Sequence, residues 1–159
     1  MLIVASCKYY ELMLGRTYTD QNCSAARALE SVGERWSLLI IRDAAFRGTT
    51  RFADFQRNLG VASNILAARL NGFVAAGLME RRRDTPHHEY LLTDKGRDLQ
   101  PVIVALTHWG DRWSAPDGPP IVFEHAGCGG GLEQQIRCAV CGDIDKSAEI
   151  STRPGPGSH

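Results

Sequence analysis

The residues best suited to chemistry lie near the C-terminus, where cysteine and histidine recur at short intervals. His125 precedes Cys128 by three residues, and Cys138 precedes Cys141 by the same spacing. Four nitrogen and sulfur ligands suit tetrahedral Zn²⁺ at a closed structural site, which leaves no open position for catalysis. Structural zinc is therefore the favoured interpretation. A redox-active Cys138–Cys141 disulfide and a disordered segment with incidental cysteines are the alternatives.

A separate cysteine, Cys23, stands just before a run with helical spacing. The positive end of a helix dipole favours a thiolate, and Arg27, one turn further on, acts in the same direction. Cys23 is therefore a candidate redox or electrophile sensor. The alternative is a small apolar residue buried at a subunit interface, because free cysteine is among the most buried residue types.

Small and polar residues open the segment that runs from Ser63 to Ala76. A helix that begins in this way can approach the DNA major groove, about 12 Å wide, closely. Asn64 could pair with an adenine, Ser63 with a base edge or a phosphate, and Arg69 with a guanine or the backbone. The candidate contacts from this helix are Ser63, Asn64, Ala67, Ala68 and Arg69.

Three consecutive arginines, Arg81, Arg82 and Arg83, end an extended run before the turn Asp84-Thr85-Pro86. Successive strand residues alternate faces, so at most two of the three point outward together. Those two are candidates for phosphate or minor-groove contacts. His87, across the turn, and Arg51, a candidate phosphate clamp, complete the predicted DNA-contacting set.

Apolar periodicity predicts the elements that position these residues. Two short helices joined by a glycine-containing turn form a helix-turn-helix, and two extended runs form a hairpin, or wing. A long apolar helix, capped by Thr93 or Asp94, follows and extends through Trp113. The predicted fold is mainly α with a small β-hairpin wing, a winged helix-turn-helix that dimerises through its terminal helices. The predicted helices before the wing are 24–32, 34–45, 52–59 and 63–76, and the two runs of the wing are 78–83 and 87–92. Ser24 is the predicted N-cap of the first helix, and Ser63 or Asn64 is that of the fourth.

The predicted organisation has four parts. An N-terminal arm (1–22) precedes the DNA-binding and dimerisation domain (23–113). A linker with the zinc-binding extension (114–150) and a disordered tail (151–159) follow. A short helix around Lys8 to Leu14 is a further prediction within the arm.

Charge is unevenly distributed, although the net charge of the 159 residues is zero. Residues 51–83 hold six arginines against Asp54 and Glu80, whereas residues 114–159 are acidic overall. The basic segment suits a polyanion such as double-stranded DNA.

Composition indicates a cytoplasmic protein with a real core. The chain is 43% apolar but has no apolar run near the roughly 20 residues that span a bilayer. Its N-terminus lacks the basic region of a secretory signal. The five cysteines are odd in number, unlike a secreted disulfide framework.

Several motifs resemble those of the HxlR family of regulators, relatives of the MarR type. The resemblance implies a homodimer, built largely through the first and last helices, on a pseudo-palindromic operator. Some members resemble thiol sensors with a cysteine at the position of Cys23, and one branch is similar in its Cys/His tail. The motifs span 23–43, Phe52-Ala-Asp-Phe-Gln, Leu59-Gly60, Asn64-Ile-Leu-Ala-Ala-Arg69-Leu70, Gly77-Leu78 and Tyr90-Leu-Leu-Thr-Asp-Lys-Gly96.

The sequence therefore predicts a homodimeric DNA-binding transcriptional regulator, a repressor and not an enzyme. It would respond to a redox, electrophile or small-molecule signal. The alternatives are a winged-helix module that binds protein, and a thiol redox protein that uses Cys138 and Cys141. No Ser/His/Asp arrangement, phosphate loop or paired-carboxylate site stands out in the sequence.

Overall fold

The structure, a computed structural model, describes residue 18 and residues 21–83, 88–144 and 149–158. The chain divides into two compact units, Met1–Gln100 and Pro101–His159. The predicted arm helix, the wing turn and His87 lie outside the described residues.

In its described residues, the first unit is mainly helical and carries one β-hairpin. The second unit contains the rest of a helix that starts at Gln100, followed by short strands. Along the chain the elements are α1 (Ser24–Val32), α2 (Ser37–Arg47), α3 (Phe52–Leu59), α4 (Ser63–Ala75), β1 (Met79–Arg82), β2 (Glu89–Leu92), α5 (Asp94–Arg97), α6 (Gln100–Ser114), β3 (Arg137–Cys138) and β4 (Gly142–Asp143).

Helices α3 and α4 form the predicted helix-turn-helix. Gly60 ends α3 with φ +63°, a left-handed conformation that glycine adopts readily, and its N–H donates to the carbonyl of Gln56 at 2.9 Å. The buried Val61 anchors the turn that leads into α4. The predicted bounds of α3 are confirmed.

The core of the first unit joins the helices to the hairpin. Helix α2 packs against α1, α3 and β2, and α4 packs against α3 and β1. Among its described residues, the buried apolar side chains of this unit are Val32, Ile40, Ile41, Phe55, Val61, Leu66, Leu70, Phe73, Leu78, Met79, Tyr90 and Leu92.

The hairpin pairs β1 with β2 in antiparallel register, with Met79 opposite Leu92 and Arg82 opposite Glu89. On its other side β2 meets the segment before α3, where Arg51 forms a bridge with Glu89. The N–H of Tyr90 also donates to the carbonyl of Thr50 at 2.8 Å. The predicted wing strands are confirmed, with slightly shorter bounds.

The starts of three helices differ from the predictions. Cys23, not Ser24, is the N-cap of α1, and Ala62, not Ser63 or Asn64, is the N-cap of α4. Both caps have extended φ and ψ, whereas the expected caps are already helical. Helix α2 begins at Ser37 and not at Glu34. Glu34 opens a turn instead, and its carbonyl accepts a hydrogen bond from the Ser37 N–H.

The single long helix predicted through Trp113 is wrong, because the structure breaks it into α5 and α6. Thr93 caps α5 as expected, since its Oγ1 accepts from the Gly96 N–H at 3.2 Å. Pro101 has no N–H to offer the carbonyl of Arg97, and its ring would clash there in a continuous helix. Proline is tolerated in a first turn, so α6 can begin at Gln100.

The second unit contains two short hairpins after α6. In the first, the Leu132 N–H donates to the Phe123 carbonyl at 2.9 Å, and Glu124 bridges to Gly131. In the second, β3 pairs with β4, and the Ile144 N–H donates to the Ile136 carbonyl at 2.9 Å. These two hairpins hold the cysteine and histidine pairs.

Gly96 allows α5 to pack closely against the start of the wing. A Cβ added there would overlap the Leu78 carbonyl and lie 2.9 Å from Leu92 Cδ2. Gly96 is itself buried. The backbone at Leu78 leaves no room for a larger residue.

We therefore expect Gly96→Ala to lower the free energy of unfolding by about 1–3 kcal/mol, the usual effect of overpacking. Chemical denaturation of the whole protein measures the change. Gly72→Ala is the matched control, since a Cβ there meets nothing within 4 Å. It should be neutral or stabilise by up to about 1 kcal/mol. Equal effects of the two substitutions would contradict the close-packing argument.

Candidate nucleic-acid interface

Helix α4 has one buried face and one exposed face. Leu66, Leu70 and Phe73 are buried in the core. At a helical period of 3.6 residues, this leaves the opposite face to solvent. Ser63, Asn64 and Ala68 are exposed on it, and Ala67 is half-buried.

The side chains of Ser63 and Asn64 carry the polar chemistry of this face. Since neither residue caps the helix, their polar atoms are not used by the α4 N-terminus. Within the part of the chain that the structure describes, neither side chain makes a hydrogen bond. Their donors and acceptors are available to a partner.

Arg69 lies at the side of α4, where only 28% of its side chain is exposed. Its Nη2 is 3.4 Å from Oε2 of Glu34, in the turn before α2. Arg69 therefore links α4 to the preceding helices, and its predicted DNA contact stays a prediction.

Arg81 joins the wing to α4. Its Nη2 donates to Oδ1 of Asn71, and its guanidinium lies 5.1 Å from the centre of the Tyr90 ring. These contacts fix β1 against α4. Arg81 therefore has an internal partner on the helix that carries Ser63 and Asn64.

Arg82 lies on the other face of the hairpin and is exposed, with Nη2 3.7 Å from Oε1 of Glu80. Its cross-strand neighbour is Glu89, which pairs through its backbone with Arg51 on the other side. Cross-strand neighbours share a face, so Arg51, Glu89 and Arg82 lie on one face, where the Glu89 carboxylate accepts from Thr50 Oγ1 at 3.2 Å. Arg83, just beyond β1, is exposed.

A cavity of about 320 Å³ opens on the Arg82 face of the hairpin. Sequence reasoning missed it because its lining comes from separate segments, none of which forms a motif. Among the lining residues are Ala44, Thr49, Arg82, Leu91 and Arg97.

Cys23 is exposed and takes the N-cap position of α1. The backbone N–H groups of Ala26 and Ala25 at the start of α1, together with the charge of Arg27, lower the pKa of its thiol. Cys23 is not buried within the described part of this chain, so the alternative of a buried small apolar residue would require burial by a second subunit. The thiolate expected from the sequence agrees with this geometry.

The cysteine and histidine residues of the second unit form two pairs. His125 Nδ1 lies 3.3 Å from Cys128 Sγ. The backbone N–H groups of Cys141 and Val140, followed by the Cys141 side chain, lower the pKa of Cys138. Among the described residues, no three or more histidine, cysteine, aspartate or glutamate side chains gather around one metal position. The four-ligand zinc site stays a prediction.

Comparison with known proteins identifies the family. The HxlR-like helix-turn-helix family matches residues 31–117, more than half of the chain. The chain belongs to the HxlR family. Like its relatives, it is a helix-turn-helix transcriptional regulator and not an enzyme.

The similarity to individual relatives extends beyond the residues that match the family. The uncharacterized HTH-type transcriptional regulator Rv3095 of Mycobacterium tuberculosis is 44% identical over 138 residues, which cover 84% of this chain and 87% of Rv3095. The crystal structure of PA1607, a candidate transcription factor, is 38% identical, with a TM-score of 0.75. The match covers 86% of this chain and 99% of PA1607.

A more distant structure is the redox regulator HypR in its reduced form. It is 26% identical, with a TM-score of 0.51, and the match covers 57% of this chain and 92% of HypR.

Within the described part of the chain, no helix has the length and apolar character that a membrane span requires.

The lowered pKa of Cys23 predicts a shifted pH profile for its alkylation. Because a lower pKa leaves more thiolate at a given pH, the rate with iodoacetamide should reach half its maximum at a lower pH than for N-acetylcysteine amide. Mass spectrometry of the Cys23 peptide measures the rate. Arg27→Gln removes the weakest lowering effect and should shift the profile upward only slightly. A wild-type profile that coincides with that of the small thiol would contradict the prediction.

Proposed function

We propose that the protein binds specific sequences of duplex DNA as a homodimer, with α4 in the major groove, and represses transcription. The observation that carries this proposal is the exposed face of α4, where Ser63 and Asn64 have no hydrogen-bond partner among the described residues. We also propose that the protein acts in the cytoplasm.

The shape of α4 suits the groove. Ala67 and Ala68 add little bulk, so the backbone can come near the base edges, and Asn64 lies in the first turn, where recognition helices read bases. An asparagine amide can pair with both N6 and N7 of an adenine. Asn64 is therefore the proposed base-reading residue, and Ser63 its neighbour on a base edge or a phosphate.

The wing arginines divide between two roles. Arg81 faces α4 through Asn71. We take the alternation of β1 to continue for one residue beyond Arg82, which puts Arg83 on the same side as Arg81. Arg82 lies on the opposite side, beside the cavity. We therefore assign the phosphate or minor-groove contact of the wing mainly to Arg83, and a positioning role to Arg81.

Helix α6 supplies the dimer contact. Val102, Leu106, Trp109 and Trp113 follow helical spacing along one face, and their side chains are 48%, 51%, 61% and 65% exposed. The proposed occupant of this face is the same face of a second copy, which buries two tryptophans from each chain. Leu29 of α1, 48% exposed, supports a contribution from the first helix. A two-fold dimer would read a pseudo-palindromic operator.

A second candidate role concerns Cys23. HypR is a redox regulator, and this chain has an exposed cysteine with a lowered pKa at a helix N-terminus. These observations support Cys23 as a site at which an oxidant or electrophile could change DNA binding.

Substitutions should separate base reading from phosphate binding. Arg83→Ala should weaken binding to a random-sequence duplex and reduce the slope of log K against log salt by about 0.9 for each phosphate that the variant no longer neutralises. Asn64→Ala should leave that slope unchanged but cost about 1–3 kcal/mol in discrimination at one base pair per half-site. Fluorescence anisotropy measures the salt slope, and selection from a random-sequence pool measures the preference.

Arg82→Ala is the matched control, because it removes the same charge from the opposite face of the hairpin. Its effect on the salt slope should be smaller than that of Arg83→Ala. Equal slopes for both variants, or wild-type binding and preference for Asn64→Ala, would contradict the assignment.

Trp109→Glu should weaken dimerisation at least about tenfold, since a tryptophan at an interface centre commonly contributes 2 kcal/mol or more. Sedimentation velocity across a dilution series measures the dissociation constant. Ser114→Glu adds the same charge to an exposed position of α6 away from the apolar face and should leave the constant unchanged. A wild-type protein that is monomeric at all concentrations, or a dimer indifferent to Trp109→Glu, would rule out this interface.

A further inference from the structure

The two hairpins of the second unit each carry a pair of metal-ligating residues at the turn. His125 and Cys128 lie in the turn between Glu124 and Gly131, and Cys138 and Cys141 lie where β3 meets β4. Two successive turns, each with two ligands three residues apart, are also the arrangement of zinc ribbons.

The first turn holds its two ligand atoms together. The N–H groups of Cys128 and Gly129 both donate to the His125 carbonyl, at 3.1 and 2.8 Å. A Cβ at Gly127 would lie only 2.9 Å from Cε1 of the His125 ring, so glycine leaves room for the ring over the turn. Nδ1 of His125 is then 3.3 Å from Sγ of Cys128. Two tetrahedral ligands at Zn–N and Zn–S bond lengths lie about 3.6 Å apart, so this pair needs little adjustment.

The second turn is shaped around a sulfur atom. The Val140 N–H donates to Cys138 Sγ at 3.4 Å. Backbone N–H groups compensate the negative charge that a thiolate carries as a metal ligand. Gly142, with φ +92°, then lets the chain turn back into β4.

The segment that holds both turns has no apolar core of its own. None of residues 115–144 is buried, and Val140, in the second turn, is 95% exposed. Small elements without a core generally depend on a metal ion, disulfides or a partner for their stability. Apolar burial therefore does not account for the hairpins, whereas a bound ion would.

The separation of the two pairs in the structure is no obstacle to a shared ion. The first hairpin ends with the hydrogen bond of Leu132, and the second begins with that of Ile136, so residues 133–135 join the two. Rotation within this joint changes the distance between the two turns and leaves the hydrogen bonds inside each turn intact.

We propose that the two hairpins close on one structural Zn²⁺, held by His125, Cys128, Cys138 and Cys141. Each thiol that is protonated before binding loses its proton to solvent, and the oxidation states of zinc and sulfur do not change. The site uses none of the residues assigned to DNA binding, so it stands or falls independently of the proposed function.

Metal analysis of the full-length protein, purified under reducing conditions without chelator, tests the proposal. We expect about one zinc per chain. Cys141→Ser and His125→Ala should each lower the content to less than about half of the wild-type value. Cys23→Ser is the matched control, because it removes a cysteine outside the site and should leave the content unchanged. Cobalt(II) in place of zinc should give the visible absorption of tetrahedral thiolate coordination, which Cys141→Ser should abolish.

Three results would overturn the proposal. They are less than about half an equivalent of zinc in the wild-type protein, an unchanged content in both ligand variants, and a Cys138–Cys141 disulfide in protein kept under reducing conditions. Circular dichroism shows whether the variants retain their helices, so a loss of zinc by unfolding is recognised. DNA does not enter the measurement, so failure of DNA binding would not affect it.

Discussion

Burial of one face of α4 is the constraint on which the rest of the first unit depends. Leu66, Leu70 and Phe73 enter the core, and burying each such side chain contributes about 1.5–3 kcal/mol. That sum exceeds the roughly 1 kcal/mol of a capping hydrogen bond, so α4 can do without one. Because the helix cannot rotate without exposing these residues, Asn64 and Ala68 must face solvent. The candidate DNA-reading surface is thus a consequence of core packing.

The wing hairpin is held in a fixed position relative to α4. Arg81 connects β1 to Asn71 of α4, and Gly96 lets α5 pack closely against the backbone at Leu78. A helix and a wing held in fixed relation can engage a duplex without a large loss of conformational freedom on binding. The same arrangement divides the arginine run, since Arg82 cannot share the face of Arg81.

Local signals in the sequence predict much of this fold. Apolar spacing and Gly60 define α3, and alternating residues around a turn define the wing. The N-caps at Cys23 and Ala62 were missed because serine has a higher capping propensity, while core packing sets where each helix starts. The division of Arg81 from Arg82, and the internal pairing of Arg69 with Glu34, depend on partners distant in sequence. In the tail, the ligand spacing is visible in the sequence, but the hydrogen bond from the Val140 N–H to the Cys138 sulfur is not.

The most direct measurement of the central claim is the capture of fragments of the source genome by the wild-type protein at moderate salt. If α4 reads bases in a two-fold dimer, the retained fragments will share an inverted repeat. Its half-sites will be centred about 10–10.5 base pairs apart, or a multiple of that spacing. Retained fragments with the same sequence composition as the starting pool would contradict the account and favour a winged helix that binds protein.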